Sequence, residues 1–191
     1  MTTALWKRVE EVNQALDRKG VKVIQEIKAG GGRTLYGFQP QSVFDAMNEV
    51  FGTDWGYEVV EFSQQSLGDK GMNFYGLVRV RVWVKPAPDV EPVTREAFGG
   101  SRNNTPGDAL KGAVTDAVQK ALSTFSVGRM AYEGELKAYY QCYQKIAEKL
   151  RSGDSAIKKA YQDFCKKHGL GRLRDWPLSK LAEFCEQEKI K

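Results

Sequence analysis

In NFYGLVRVRVWVK, residues 73–85, valine alternates with arginine, tryptophan or lysine from Val78 onward. On an extended chain Phe74, Gly76, Val78, Val80, Val82 and Val84 share one face, and Tyr75, Leu77, Arg79, Arg81, Trp83 and Lys85 share the other. The spacing predicts a strand with an apolar side for a core and a cationic side that carries aromatics. Upstream, Tyr57 to Ser66 reads as a partner strand, with Asp69, Lys70 and Gly71 as the turn of a hairpin. Downstream, Val93 to Phe98 reads as a third strand. An antiparallel meander is the economical arrangement.

The pattern then becomes helical. Thr105, Pro106 and Asp108 supply a capping hydroxyl, a proline for the first turn and a carboxylate at the positive end of the helix dipole. A helix is expected from Pro106 to about Phe125. Ala109, Ala113, Ala117 and Ala121 recur every four residues, so one stripe is small enough to lie close against a sheet, flanked by Leu110, Val114, Val118 and Leu122. At the other end of the chain, Leu5, Val9, Val12 and Leu16 form the stripe of a helix from Ala4 to Lys19 that stops at Gly20. Val21 to Lys28 is ambiguous, Gly30 to Gly32 form a bend, and Arg33 to Phe38 resumes as a possible strand. Pro40 then opens a helix that ends at Gly52. Beyond Gly128 three apolar stripes predict three further helices: Leu136, Tyr139, Tyr140, Tyr143, Ile146 and Leu150; then Ile157, Ala160, Tyr161 and Phe164; then Leu181, Phe184 and Cys185.

The chain has 191 residues, 41% of them hydrophobic, enough for a sizeable core. Its formal charge is +5. Residues 1–134 hold 16 basic and 16 acidic side chains, while residues 135–191 hold 13 and 8, so the whole excess lies in the last third. A polyanion is a reasonable partner. No apolar run is long enough to span a membrane, and no signal peptide is apparent, so a cytoplasmic protein is expected. Cys142, Cys165 and Cys185 form no CxxC pair and are expected as free thiols. His168 with Cys165 cannot complete a zinc site, and neither a metal nor another cofactor is expected.

Four constellations bear on chemistry. Gly30-Gly31-Gly32-Arg33 lacks the GxxxxGK[ST] pattern of a nucleotide-hydrolysing loop; it is either a loop that carries Arg33 toward an anion or a simple bend. A magnesium nuclease could be assembled from Asp89 with Glu91 or Glu96 and the Glu135-x-Lys137 pair, but these carboxylates are scattered. With no coherent acid, base and nucleophile, no enzymatic activity is expected. The cationic strand face fits single-stranded nucleic acid, with Arg79, Arg81 and Lys85 for phosphates and Tyr75 and Trp83 for bases, although a half-buried antiparallel strand has the same pattern. In the last third, Lys145, Lys149, Arg151, Lys158, Lys159, Lys166, Lys167, Arg172 and Arg174 lie off the apolar stripes. Taken alone, they read as a solvated face.

Residues 29–55 (AGGGRTLYGFQPQSVFDAMNEVFGTDW), 73–85 and 107–125 (GDALKGAVTDAVQKALSTF) together resemble the annealing domain of the Rad fifty-two/Rad twenty-two recombination proteins. The likeness covers roughly residues 5–130 and rests on the combination AGGG, FGxxW and AVTDAxxKALxxF. Related bacterial and phage proteins include the DdrA group, and the short chain suits that branch better than a long eukaryotic member.

The resemblance implies an α+β fold with a β-β-β-α core, in which a curved antiparallel sheet is crossed by a long helix, and assembly into a ring; the apolar stripes add N-terminal helices and a basic helical C-terminal extension. Together with the charge step after Gly134, it gives an expected annealing domain over residues 1–134 and an extension over 135–191. The function implied is binding of single-stranded DNA and ATP-independent annealing in recombination and double-strand break repair, with DNA end protection as the alternative. The basic residues of the last third then form a solvated face, an extra DNA-contacting rim, or a dock for a recombination factor such as a recombinase or single-strand-binding protein, and the setting is the cytoplasm of a bacterial or phage-infected cell. Position by position, Lys120 matches an inner-groove site, Lys111 another basic helix position and Lys85 an outer-site residue. Arg81 also matches a basic position, while Arg79 and Arg33 are supported by neighbourhood. Gln119, Ser123 and Ser42 stand where eukaryotic members carry Lys or Arg, so the implied inner groove is less positive than the family pattern.

Overall fold

The computed structural model describes residues 3–28, 30–68 and 73–190. In chain order the elements are α1 (Thr3–Lys19), β1 (Ile24–Lys28), β2 (Thr34–Phe38), α2 (Pro40–Phe51), β3 (Trp55–Ser66), β4 (Phe74–Val84), β5 (Val93–Asn103), α3 (Pro106–Ser123), α4 (Arg129–Tyr132), α5 (Glu135–Arg151), α6 (Ser155–His168) and α7 (Leu178–Gln187). The class is α+β, with separate antiparallel sheets. Two compact units divide the chain, one drawn from Met1–Asn13 and Val43–Gly128, the other from Gln14–Ser42 and Arg129–Lys191.

In the first unit β3, β4 and β5 form a meander with β4 in the centre. Val78, Val80, Val82 and Val84 are fully buried on one side, as their alternation requires, each contributing about 1.5–3 kcal/mol of apolar burial. The hairpin turn at Asp69, Lys70 and Gly71 lies outside the described residues; beside it, the Leu67 amide donates to the Asn73 carbonyl at 2.7 Å. β5 runs to Asn103, five residues past the expected end. Gly99 and Gly100 look like a strand break in sequence, but they are paired with Val78 and Leu77. A Cβ on Gly99 would collide with the backbone of Ala113 and Ala117, and one on Gly76 with that of Ala109. The alanine stripe of α3 is fully buried. Small residues on both partners therefore let the helix press directly onto the strand backbone.

The Thr105 hydroxyl oxygen accepts the Asp108 amide at 3.1 Å and its O–H donates to the Asp108 carboxylate at 2.7 Å, which fixes the helix start as expected. After Ser123 the chain tightens, with the Phe125 amide donating to the Leu122 carbonyl. Asn13, buried on α1, donates to the Ser126 carbonyl (3.0 Å) and accepts the Gly128 amide (2.8 Å). Arg8 donates to Asp54 (3.0 Å) and to the carbonyls of Lys85 (2.9 Å) and Val50 (3.0 Å), with its guanidinium over the Phe51 ring. It thereby ties α1, the end of α2 and the end of β4 together.

In the second unit the ambiguous stretch before Ala29 becomes β1, paired antiparallel with β2 from Ile24↔Phe38 to Lys28↔Thr34. Gly31 and Gly32 turn the chain at φ 72° and 73°, a region open to glycine. Trp176 is buried, stacked on Tyr161 and Phe164 and edge-on to Phe184, and its indole N–H donates to the Gly171 carbonyl at 3.1 Å. Asp17 caps α7, accepting the Ser179 amide (2.8 Å) and hydroxyl (2.9 Å). The expectation of three free thiols is corrected: Cys142 on α5 and Cys185 on α7 form a disulfide, and only Cys165 is free. Packing of α5 on α7 brings together two residues 43 positions apart, which no local spacing reveals.

Candidate nucleic-acid interface

The outer face of the β3-β4-β5 sheet differs from the cationic face that one strand suggests. The register sets Arg81 between Glu58 and Glu96, and Arg79 between Glu61 and Phe98. Arg81 reaches Glu58 at 2.8 Å and Glu96 at 2.7 Å; Arg79 reaches Glu61 at 3.2 Å and Glu96 at 3.1 Å. Three carboxylates thus surround two guanidiniums, and the local charge is negative. Hydrogen bonding to Arg81, more than the opposing effect of burial, lowers the Glu96 pKa, and the same bond raises that of Arg81. The strand alternation showed the arginines but not the acids opposite them.

The aromatics on this face also have neighbours. A Cβ on Gly56 would collide with the Trp83 indole, and one on Gly100 with the Tyr75 hydroxyl, so each ring lies across a glycine of the adjacent strand. Tyr75, Leu77 and Phe98 nevertheless remain exposed.

On α3, Lys111 and Lys120 are both exposed. Nine residues at 100° each place them about half a turn apart, on opposite flanks of the buried stripe. Lys120 Nζ lies 2.7 Å from Asp116, whose same oxygen accepts the Gly100 amide at 3.0 Å. Such an i,i+4 surface pair is worth only about 0.3–0.5 kcal/mol, so a phosphate can compete for the lysine. Asp116 is a neighbour that the spacing alone could have supplied. Lys85 follows β4, half-buried, with its amide donating to the Asp54 carbonyl at 2.7 Å. Arg33 belongs to the second unit, exposed in the β1–β2 connection. The structure therefore brings Arg79 and Arg81 together and sets Lys111 and Lys120 apart.

The three departures from the family pattern have distinct settings. Ser42 is 8% exposed, so a charge there would be buried. The Ser123 hydroxyl donates to the Lys120 carbonyl at 2.7 Å, and Gln119 is half-buried on α3.

For the nuclease set, Glu96 is already held by both arginines, whereas Asp89 and Glu91 lie exposed between β4 and β5 and Glu135 heads α5. Among the described residues no three His, Cys, Asp or Glu side chains converge as a metal-binding group. None of the described helices is long and apolar enough to cross a membrane.

No curated protein matches the chain significantly. A sequence profile described as "Rad52/22 family double-strand break repair protein" matches residues 8–150, a span that takes in all three stretches carrying the resemblance. With most of its length matched across the sheet, α3 and the N-terminal helices, the chain belongs to the Rad52/22 family of double-strand break repair proteins.

Proposed function

We propose that the protein binds single-stranded DNA and anneals complementary strands without ATP during recombination and double-strand break repair. The family match over residues 8–150 carries this reading. Lys120, Lys111 and Lys85 are the leading phosphate contacts, with Arg81, Arg79 and Arg33 in support. Phosphates held by lysines leave base edges available to a second strand, so the DNA itself reads the sequence. In this reading residues 1–134 carry annealing and residues 135–191 form a basic extension that can also meet a recombinase or single-strand-binding protein. The working site is the cytoplasm, on the nucleoid when DNA is bound.

Assembly into a ring of identical subunits is part of the proposal. Its support is the edge strand β3, where Tyr57, Val59 and Phe62 lie on the same side of the sheet as Val82, Val80 and Val78. α3 packs on β4 and β5, and these three side chains stay 43%, 45% and 66% exposed. An apolar edge suits a second copy, and repeated head-to-tail contacts that close give a ring.

One observation favours a second reading, protection of DNA ends without annealing, as in a DdrA-like branch. Asp116 pairs with Lys120, and carboxylates neutralise both sheet arginines, which leaves few cations along these elements. The test is mixing of two complementary labelled oligonucleotides in magnesium without ATP, beside a non-complementary pair. Acceleration of the complementary pair alone is expected. Binding without acceleration supports end protection, and shortened strands overturn both readings in favour of a nuclease.

A further inference from the structure

The second unit holds an open groove of about 520 Å³ between the last turns of α5 and the segment that leads into α7. Tyr143, Ala147, Leu150, Arg151, Arg172 and Arg174 are among the residues that line it. All three arginines are exposed. Among the described residues no carboxylate lies within ion-pairing distance of any of them. The acid nearest in sequence, Asp175, is held by Lys22 at 2.9 Å. Its pKa is lowered chiefly by that hydrogen bond and further by the fields of Arg174 and Arg172. Arg151 spends its Nε on the Ala147 carbonyl at 3.2 Å, which leaves its terminal nitrogens to face an anion.

The groove also has an aromatic ring in its lining, Tyr143, and is fixed in place. Tyr143 continues into Tyr140 at 6.4 Å between ring centres, and Tyr140 into Tyr36 at 5.5 Å. The arginine segment is anchored by buried Trp176 and by the Lys22–Asp175 pair, so a ligand orders little chain on binding. Fork-shaped guanidiniums match phosphate oxygens, and the Tyr143 ring matches an unstacked base. A duplex offers phosphates but keeps its bases stacked inside.

We propose that this groove is a second single-stranded DNA site, in which Arg172, Arg174 and Arg151 hold consecutive phosphates and Tyr143 stacks on a base. It uses none of the residues of the sheet and α3 discussed above. It shares their ligand and to that extent rests on the annealing reading.

The test is fluorescence anisotropy of a labelled oligothymidylate with the full chain at several salt concentrations. Arg172→Ala/Arg174→Ala is expected to flatten the slope of log affinity against log salt by about 1.4, two contacts at about 0.7 each. Arg172→Lys/Arg174→Lys keeps the native slope, since the charges remain. Tyr143→Ala loses about fivefold or more in affinity, and Tyr143→Phe binds as the native chain does. If the native chain fails to bind the oligothymidylate, this proposal and the annealing reading fail together. If the native chain binds and the alanine pair matches it in affinity and slope, the groove is excluded and the annealing reading stands. Equal losses on a duplex of the same length overturn the single-strand assignment.

Discussion

Arg79 and Arg81 on the sheet and Arg172 and Arg174 before α7 look alike in sequence: each is a pair of arginines with one residue between them, followed two positions later by a tryptophan. Their surroundings are opposite. The sheet pair is enclosed by Glu58, Glu61 and Glu96 from the flanking strands, whereas the pair before α7 faces an open groove, with the one adjacent acid drawn off by Lys22. A basic residue becomes a binding residue through the carboxylates that the fold keeps away from it. Net charge by stretch of sequence does not report that.

The comparison can be broken most severely at Trp176. Trp176→Ala removes the packing that holds the arginine segment, and a loss of about 3–5 kcal/mol is expected in chemical denaturation, together with a flatter salt dependence of DNA binding. Retained stability would mean that the segment is not anchored by its ring stack. On the sheet side, Ala117→Leu forces a larger side chain between α3 and β5, where Gly99 leaves no room, for about 1–3 kcal/mol. An unchanged melting temperature would place the alanine stripe away from the strands.

Smaller effects sharpen the contrast. Lys120→Ala and Lys85→Ala are each expected to flatten the salt slope by about 0.7, and unchanged slopes would remove them from the interface. Glu96→Gln removes the carboxylate that both sheet arginines share and leaves each with one acid, Arg81 with Glu58 and Arg79 with Glu61, so DNA affinity should rise and the salt slope steepen; no change would mean that this face never meets DNA. The same acid gives a pH signature. Its folded pKa is lowered by Arg81, so its stabilising contribution is present above the unfolded carboxylate pKa and is lost as pH falls through the lower folded value. Glu96→Gln should reduce acid sensitivity in that window, measured by melting temperature against pH.

Much of the fold was legible because its signals are local. The alternation of residues 74–84, the Thr105 cap and the alanine period each act within one element, and each element formed where expected. β5 was read five residues short because Gly99 and Gly100 weaken a strand when taken alone; their purpose appears only with α3 against them. The Cys142–Cys185 bond and the β1–β2 pairing depend on partners distant in sequence or on a register that periodicity does not give. The candidate site divides in the same way. Lys111 and Lys120 could be named from a motif, and Asp116 was visible one helical turn before Lys120. Glu58, Glu61 and Glu96 could not be assigned to Arg79 and Arg81 without the pairing of three strands.

Asp116 adds a polar link to the packing of α3 on β5, accepting the Gly100 amide with the same oxygen that meets the Lys120 ammonium. A phosphate that draws Lys120 away leaves the carboxylate with one partner instead of two. The electron density offered to the Gly100 N–H then changes even though no nucleotide touches that strand. The amide resonance of Gly100 is thus a built-in nuclear magnetic reporter of events at Lys120, and it would respond to occupancy of the helix with the chain unlabelled by any fluorophore.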